Sequence, residues 1–376
     1  CDRRQRQMCI RDRIIGSPSR YIQGKGTLAE LTKYTAKLGK KMLVLVSKSG
    51  KKRVEDKLNT AVEGTDSSVI WEIFNGECSH NEIKRIGEVL KNEKCDIVVG
   101  IGGGKILDTA KAVAYYENIS AVCVPTAAST DAPCSALSVI YTDDGQFEEY
   151  LWLPSNPDIV LLDTDIVAAA PARLIISGMG DALATYFETR ACMRSNAVSC
   201  MGGSVSKTAM ALSELCYKTL IADGPKAKLA VEAGTCTPAV ENVIEANTYL
   251  SGIGFESGGI AAAHAIHNGL TCIEETHGMY HGEKVAFGVL SQLIMENVSE
   301  EEFEEVMDFC ITVGLPVTLE DLGIKKIDKD KIMEAAALAC AEGDTAHNMP
   351  FEVTAESVYN AMLAADRMGH YYKDFE

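Results

Sequence analysis

Short apolar runs alternate with longer amphipathic segments over the first 165 residues of the chain. Runs rich in Val, Ile and Leu are typical of buried parallel strands, and apolar positions at helical spacing are typical of amphipathic helices. We therefore predict a parallel α/β sheet in the first half of the chain. The predicted strands are Lys41–Val46, Val69–Phe74, Asp96–Gly100, Ala121–Pro125 and Asp158–Leu162, and the predicted helices are Lys52–Ala61, Asn81–Lys91 and Lys105–Tyr115.

A β-hairpin is predicted between the last two of these strands. Ser138–Tyr141 and Phe147–Leu153 flank the sequence Asp143-Asp144-Gly145, which is typical of a tight hairpin turn. Ligands of parallel α/β sheets bind beyond the carboxyl ends of the strands. The glycines that follow Gly100 and the segment Pro125–Ser135 lie at that predicted edge.

The second half of the chain is predicted to be helical. After about Asp165 the strand signals stop, and Ala, Leu, Met and Glu recur at helical spacing to the last residue. Helix ends are expected at Gly224-Pro225, Gly314-Leu315-Pro316 and Met349-Pro350. We therefore predict an α/β domain at residues 14–170 and a helical domain at residues 171–376, with the boundary near Ala170-Pro171.

Composition limits the classes of partner. The formal net charge of -17 argues against nucleic acid or an anionic membrane as the main partner. The 13 cysteines are scattered and form no C-x-x-C pair, so most of them are expected to be small buried residues in a reducing cytoplasm. Residues 1–13 are basic and polar in an acidic chain. They are expected to be a foreign leader, the alternative being a mobile basic arm.

The stretch Asp96–Ala112 combines a strand, a glycine turn and a helix. Gly102, Gly103 and Gly104 leave bare backbone N–H groups at a helix N-terminus, where phosphate binds. The spacing does not complete G-x-G-x-x-G, because Lys105 stands where the last glycine would be, and it is not a P-loop. The stretch is therefore either a nucleotide phosphate site or a tight βα turn without a ligand.

Four of the seven histidines fall in one short region, at His264, His267, His277 and His281. His264 and His267 are three residues apart and share one helix face. Neutral imidazoles together with a carboxylate are a common ligand set for a divalent metal, and Asp181 offers a carboxylate. Two alternatives stay open here. Asp181 is either a ligand or a helix cap, and either two of the histidines are ligands or none is.

Five stretches of the chain follow one another in the order Gly100–Ala112, Pro125–Ser135, Gly178–Glu188, His264–Leu270 and His281–Gly288. Together they resemble the glycerol dehydrogenases of the iron-containing (group III) alcohol dehydrogenase family. This family shares its fold with dehydroquinate synthase and glycerol-1-phosphate dehydrogenase. The resemblance implies a Rossmann-like nucleotide-binding domain, a helical metal-binding catalytic domain and a cleft between them.

The resemblance also implies roles for individual residues. Asp181, His264 and His281 would bind one divalent metal, Zn²⁺ or Fe²⁺, and Asp131 would hydrogen-bond glycerol. For His267 the sequence leaves open a supporting or proton-relay role, or a satisfied histidine of the core. The implied NAD contacts are Gly102, Gly103, Gly104, Lys105, Asp108, Thr126, Ser129, Ser135, Leu137 and Tyr141.

One departure from the family concerns the nucleotide. Family members often have an acidic residue after the first strand, which binds the adenosine ribose, whereas this chain has Val46-Ser47-Lys48. A carboxylate at that place selects NAD because it repels the 2′-phosphate of NADP. Without this carboxylate, NADP stays an alternative nucleotide, although the overall match to the family favours NAD.

The implied reaction is the reversible oxidation of glycerol and related vicinal diols to dihydroxyacetone, in a cytoplasmic homo-oligomer such as an octamer. The alternatives are another metal-dependent polyol dehydrogenase of the family, a dehydroquinate-synthase-like lyase and a non-catalytic nucleotide-binding module. A phosphorylated substrate would need several cations at the cleft, and only Lys284 and Arg190 are close in sequence to the expected ligands.

Overall fold

The structure, a computed structural model, describes residues 12–374 of the chain. Six of the eight strands in that range form one parallel sheet, and the other two form an antiparallel hairpin. The strands are Arg20–Gly24 (β1), Lys41–Val46 (β2), Ser68–Ile73 (β3), Ile97–Gly102 (β4), Ser120–Pro125 (β5), Leu137–Tyr141 (β6), Phe147–Trp152 (β7) and Ile159–Asp163 (β8). The sheet order is β1-β8-β5-β4-β2-β3.

Helices cover both faces of this sheet. The helices of the first half are Leu31–Thr35 (α1), Lys48–Val62 (α2), His80–Glu93 (α3) and Gly104–Glu117 (α4). Alternate residues of a strand point to opposite faces, so Met42 and Val44 of β2 pack towards α2, whereas Leu43 and Leu45 pack towards α3 and α4. A strand with two apolar faces is therefore buried on both sides.

The strand order brings two loops together at the carboxyl edge of the sheet. β4 and β5 are parallel neighbours in which Gly102 pairs with Pro125. The backbone N–H of Thr126 then donates to the carbonyl oxygen of Gly102 at 3.1 Å. The glycine turn and the segment that follows β5 consequently lie side by side.

The second half is helical and shares its core with the sheet. Apolar residues of Ala172–Ser195 pack in one cluster with Val160 and Leu162 of β8. The helices of this half are Thr164–Ala168 (α5), Ala172–Ser195 (α6), Lys207–Glu232 (α7), Pro238–Glu245 (α8), Ser251–Gly258 (α9), Ala262–Leu270 (α10), His281–Glu296 (α11), Glu300–Val313 (α12), Lys329–Ala339 (α13) and Ala355–Lys373 (α14).

The predicted fold class, a parallel α/β region followed by a helical region, is confirmed, and the predicted hairpin is β6–β7. Two details of the prediction fail. The edge strand β1 was not predicted, because its sequence RYIQG has no apolar run. The helix end expected at Gly224-Pro225 is wrong, since α7 continues through Pro225 while Gly224 packs against the ring of Phe309. The division into domains near Ala170-Pro171 stays a prediction.

Of the predicted leader, residues 1–11 lie outside the described residues. Asp12 and Arg13, the last two residues of the predicted leader, lie against the helical half. The N–H of Ser204 donates to the carbonyl oxygen of Asp12 at 2.9 Å, and Arg13 forms a β-bridge with Ser204. None of the helices described between residues 12 and 374 combines the length and the apolar content that a membrane crossing requires.

Candidate active site

Asp181, His264 and His281 converge in the helical half. Their ligand atoms all lie within 4.8 Å of one another. Asp181 Oδ1 lies 3.4 Å from His264 Nε2 and 3.1 Å from His281 Nε2. Asp181 is buried in the interior of α6, so the helix-cap interpretation of this residue is wrong.

Close contact between two helices brings His281 to Asp181. His281 is the first residue of α11, and Gly282 follows it. A Cβ atom at Gly282 would overlap the carbonyl oxygen of Ser177, and a Cβ atom at Gly180 would overlap the carbonyl oxygen of Gly282. Glycine is required at both positions because the backbones of α6 and α11 touch there.

Asp131 lies directly beside the three convergent residues. Its backbone N–H donates to Asp181 Oδ2 at 3.2 Å, and its Oδ2 accepts from the hydroxyl of Ser251 at 2.7 Å. Burial and the negative charge of Asp181 raise the pKa of Asp131 well above its ordinary value. Asp181 behaves in the opposite way, because His281 and His264 outweigh the effect of burial and lower its pKa.

His267 forms the next layer of this histidine cluster. Its Nε2 lies 3.0 Å from His281 Nδ1, and its Nδ1 lies 3.1 Å from Asn268 Oδ1. If His281 presents the lone pair of Nε2 towards Asp181, its Nδ1–H donates to His267, which must then be neutral. Burial and the neighbouring His281 lower the pKa of His267 well below its ordinary value, in agreement with a neutral ring.

Two other histidines stay outside the cluster. His277 Nε2 contacts the carbonyl oxygen of Thr271 at 3.0 Å, and His347 Nε2 contacts that of Cys340 at 3.2 Å. Both residues are exposed. Their contacts are those of loop and helix-end packing.

The glycine turn is open where a nucleotide phosphate was predicted. A Cβ atom at Gly103 or Gly104 would meet no atom within 4 Å, whereas one at Gly102 would strike the side chain of Ile106. Gly102 thus serves packing, and the other two glycines expose backbone at the first turn of α4. Lys105 pairs with Glu77 at 2.6 Å, and its Nζ lies 5.1 Å from the ring centroid of Tyr141.

Asp108 does not present a free carboxylate at this turn. It is buried and pairs with Lys111 Nζ at 2.9 Å, and it accepts from the N–H of Val139 at 3.3 Å. Lys111 is also buried, and it donates to the carbonyl oxygens of Ala132, Ser135 and Leu137. The ion pair thereby joins α4 to the segment 131–139.

The remaining predicted nucleotide contacts lie along the same segment and beside the glycine turn. Thr126 and Ser129 are half-buried. The hydroxyl of Ser135 donates to the carbonyl oxygen of Ala132 at 3.1 Å, and Leu137 offers its carbonyl oxygen to Lys111. Burial raises the pKa of Tyr141 to about 12. Direct contact of these residues with a nucleotide stays a prediction.

Several buried polar residues around the site were not predicted. Besides Lys111 and Ser251, Glu188 contacts His264 Nδ1 at 2.6 Å. Glu256 accepts from the N–H of Ala136 at 2.7 Å, and Asn247 donates to the carbonyl oxygen of Ala128 at 3.0 Å. A signal existed for Glu188 alone, because it stands seven positions after Asp181, which places both residues on one helix face.

Known sequences of one enzyme family match this chain. A sequence profile described as iron-containing alcohol dehydrogenase matches residues 18–164. The glycerol dehydrogenase of Citrobacter freundii is 53% identical over 95% of this chain and 98% of its own length. The chain belongs to the iron-containing alcohol dehydrogenase family.

The fold of this chain is similar to those of solved structures described as glycerol dehydrogenases. A probable glycerol dehydrogenase from Sinorhizobium meliloti 1021 has a TM-score of 0.89 at 46% identity, covering 96% of this chain and 100% of that chain. The glycerol dehydrogenase of Schizosaccharomyces pombe has a TM-score of 0.93 at 37% identity, covering 96% of this chain and 92% of that chain.

The donor set fits the metal dependence of the iron-containing alcohol dehydrogenases. Asp181 Oδ1 is buried and has no hydrogen bond of adequate geometry, although two imidazole nitrogens lie close to it. A buried carboxylate oxygen without a partner is costly, and a cation would satisfy it. One carboxylate and two imidazoles suit Zn²⁺ or Fe²⁺.

A phosphorylated substrate would require cationic side chains that are free to bind its phosphate. Arg190 and Arg173 are instead paired with glutamates. Arg190 contacts Glu302 and Glu296, and Arg173 forms two hydrogen bonds with Glu283 at 2.6 and 2.8 Å. These pairs disfavour the lyase alternative within the iron-containing alcohol dehydrogenase fold.

Proposed function

We propose that the chain is an NAD-dependent glycerol dehydrogenase, which oxidises glycerol and related vicinal diols reversibly to hydroxyketones such as dihydroxyacetone. The convergence of Asp181, His264 and His281 next to Asp131 carries this proposal. The relatives named as glycerol dehydrogenases support it at 53% and 46% identity.

Asp181, His264 and His281 would hold one divalent metal, for which we propose Zn²⁺, with Fe²⁺ as the alternative. When bound, such a cation supplies Lewis acidity towards a substrate hydroxyl, and the nicotinamide nucleotide supplies the hydride acceptor. Three protein ligands leave coordination positions open for substrate oxygens. A diol offers two such oxygens, which supports a preference for vicinal diols over simple alcohols.

The chain's own residues orient the substrate. Asp131 lies next to Asp181 and is anchored by Ser251, so its carboxyl group would hydrogen-bond a hydroxyl of glycerol. We propose that His267 supports His281, because its Nε2 lies 3.0 Å from His281 Nδ1 and would accept the proton of that nitrogen. The exposed backbone of Gly103 and Gly104 would receive the nucleotide pyrophosphate at the N-terminus of α4.

A substrate panel combined with metal analysis tests the proposed function. With NAD and zinc, absorbance at 340 nm is expected to rise with glycerol and 1,2-propanediol and to rise far less with 1-propanol. Asp181→Asn is expected to lose bound zinc and activity together. Equal turnover of 1-propanol and 1,2-propanediol contradicts the chelating role of the diol, and a fully active Asp181→Asn variant contradicts the metal site.

Assembly and compartment follow from the same resemblance. We propose a homo-oligomer, with an octamer as the expected size, in the cytoplasm. Light scattering of the purified chain measures the assembly directly, and a monomer at micromolar concentration contradicts it.

A further inference from the structure

Helix α6 contributes a second buried carboxylate to the metal site. Glu188 follows Asp181 by seven positions, which is about two turns at roughly 3.6 residues per turn, so both side chains share one helix face. Both residues are fully buried. Glu188 does not face the convergent ligand atoms, because it contacts the opposite side of the His264 ring.

Three hydrogen bonds join Glu188 to the N-terminus of α10. Its Oε2 lies 2.6 Å from His264 Nδ1. Its Oε1 accepts from the backbone N–H groups of Ala261 at 2.8 Å and of His264 at 2.9 Å. Since His264 Nε2 lies 3.4 Å from Asp181 Oδ1, the ring stands between two carboxylates of the same helix.

This arrangement decides which ring nitrogen carries the proton. A carboxylate can only accept a hydrogen bond, so the His264 nitrogen that faces Glu188 must be the donor. When a cation lies beside Asp181, the ring is neutral and its remaining lone pair lies at Nε2, on the side of Asp181. In metal sites, such outer carboxylates fix the tautomer and the orientation of a ligating histidine.

We propose that Glu188 is a positioning residue, which holds His264 in the tautomer that presents the Nε2 lone pair to the cation beside Asp181. This inference rests on the metal site of the proposed function. It adds a residue that neither the glycine turn nor the histidine spacing indicates.

Glu188 also has a structural role, and the test must separate the two. Its Oε1 satisfies two backbone N–H groups at the start of α10, whose own N-cap residue makes no side-chain cap. Glutamine preserves this part, because its carbonyl oxygen accepts the same two N–H groups. Its amide NH₂ group then faces Nδ1 as a donor, which drives the ring proton to Nε2 and removes the lone pair from the metal position.

The experiment measures zinc affinity by competition with a chromophoric chelator, together with the melting temperature of the metal-free protein. Glu188→Gln is expected to bind zinc about 10- to 100-fold more weakly while the melting temperature of the metal-free form stays close to that of the unchanged chain. Glu188→Ala is expected to lose both zinc affinity and thermal stability, since it removes the cap as well.

Glu82→Gln is the matched control. Glu82 is also a buried carboxylate, and it accepts from the backbone N–H of Asn75 at 3.0 Å in the first half of the chain. This variant is expected to keep the zinc affinity of the unchanged chain. Zinc binding by Glu188→Gln at unchanged affinity overturns the positioning role, whereas failure of the unchanged chain to bind zinc overturns the metal site itself.

A measurement on the unchanged protein keeps the inference testable if Glu188→Gln does not fold. In the zinc-loaded protein with ¹⁵N-labelled histidine, the His264 signal is assigned by comparison with His264→Asn. A proton on Nδ1 together with a metal-bound Nε2 is expected, and a metal-bound ring without a proton on Nδ1 overturns the proposal.

Discussion

At the scale of single residues, the site depends on buried polar groups whose partners are far away in sequence. Asp131, Glu188 and Lys111 each contact residues of another segment, at Asp181, His264 and Ala132 respectively. The histidine cluster and the glycine turn could be predicted, because their residue types and short spacings carry chemistry. The partners of Lys111 could not be predicted, since a lysine inside a helix looks like a solvent-facing residue. For Glu188 the one signal was its spacing of seven positions from Asp181.

We expect the residue at position 47 to influence the nucleotide preference. It follows β2 and caps α2, with its Oγ accepting from the N–H of Gly50 at 3.0 Å. Aspartate is an equally good cap residue and adds a carboxylate where the adenosine ribose is expected. Ser47→Asp is therefore expected to lower kcat/KM for NADP by about tenfold or more, corresponding to at least about 1.4 kcal/mol, while that for NAD is kept or raised.

The measurement for Ser47 is the ratio of kcat/KM for the two nucleotides, with Ser47→Asn as a control that caps the helix without adding charge. A ratio that is the same in Ser47→Asp, Ser47→Asn and the unchanged chain shows that the nucleotide lies elsewhere.

At the scale of elements, the sequence predicted what local patterns encode. β2 was predicted with its observed bounds because it is apolar on both faces. β1 was missed because an edge strand does not need an apolar run. α7 continues through Pro225, although proline has no N–H to donate, and Gly224 next to it packs against the ring of Phe309. A proline costs about 3 kcal/mol inside a helix, so packing overrides the local preference here.

The crossing of α6 and α11 predicts a sharp difference between Gly282 in α11 and Gly278, which precedes that helix. Gly282→Ala places a Cβ atom against the carbonyl oxygen of Ser177, whereas a Cβ atom at Gly278 meets no atom within 4 Å. Gly282→Ala is expected to lower the free energy of unfolding by at least about 1–3 kcal/mol, because the two helices must move apart. The same movement is expected to weaken zinc binding.

Gly278→Ala is the control for this crossing, and it is expected to change neither quantity. Urea denaturation and zinc titration of both variants provide the measurements. Equal behaviour of the two variants would mean that the close contact does not set the position of His281.

The buried ion pair within α4, whose two members also bond the segment 131–139, makes a prediction about stability. Lys111→Met leaves the buried carboxylate of Asp108 without its charged partner and is expected to cost about 3–5 kcal/mol. The double variant Asp108→Asn/Lys111→Met is expected to cost less than the sum of the two single variants. Denaturation of all four proteins gives the coupling energy, and strict additivity contradicts a direct interaction of the pair.

At the scale of the whole molecule, the proposed metal ligands all come from the helical half, from α6, α10 and α11. Because a ligand that binds the folded state alone stabilises it, free zinc at about 100 times its dissociation constant is expected to add about 2.7 kcal/mol. Removal of zinc by a chelator should therefore lower the melting temperature, and readdition should restore it. Calorimetry measures this shift, and Asp181→Asn is expected to show none.

The segment 131–139 has a mechanical consequence for the molecule. It is bonded to α4 of the sheet half through Lys111 and Asp108, and to α9 of the helical half through Ser251 and Glu256. Because buried groups bond this segment to both halves, it is expected to oppose large movements of one half relative to the other. We therefore expect substrate and nucleotide to enter and leave by small local movements while the two halves keep one relative orientation.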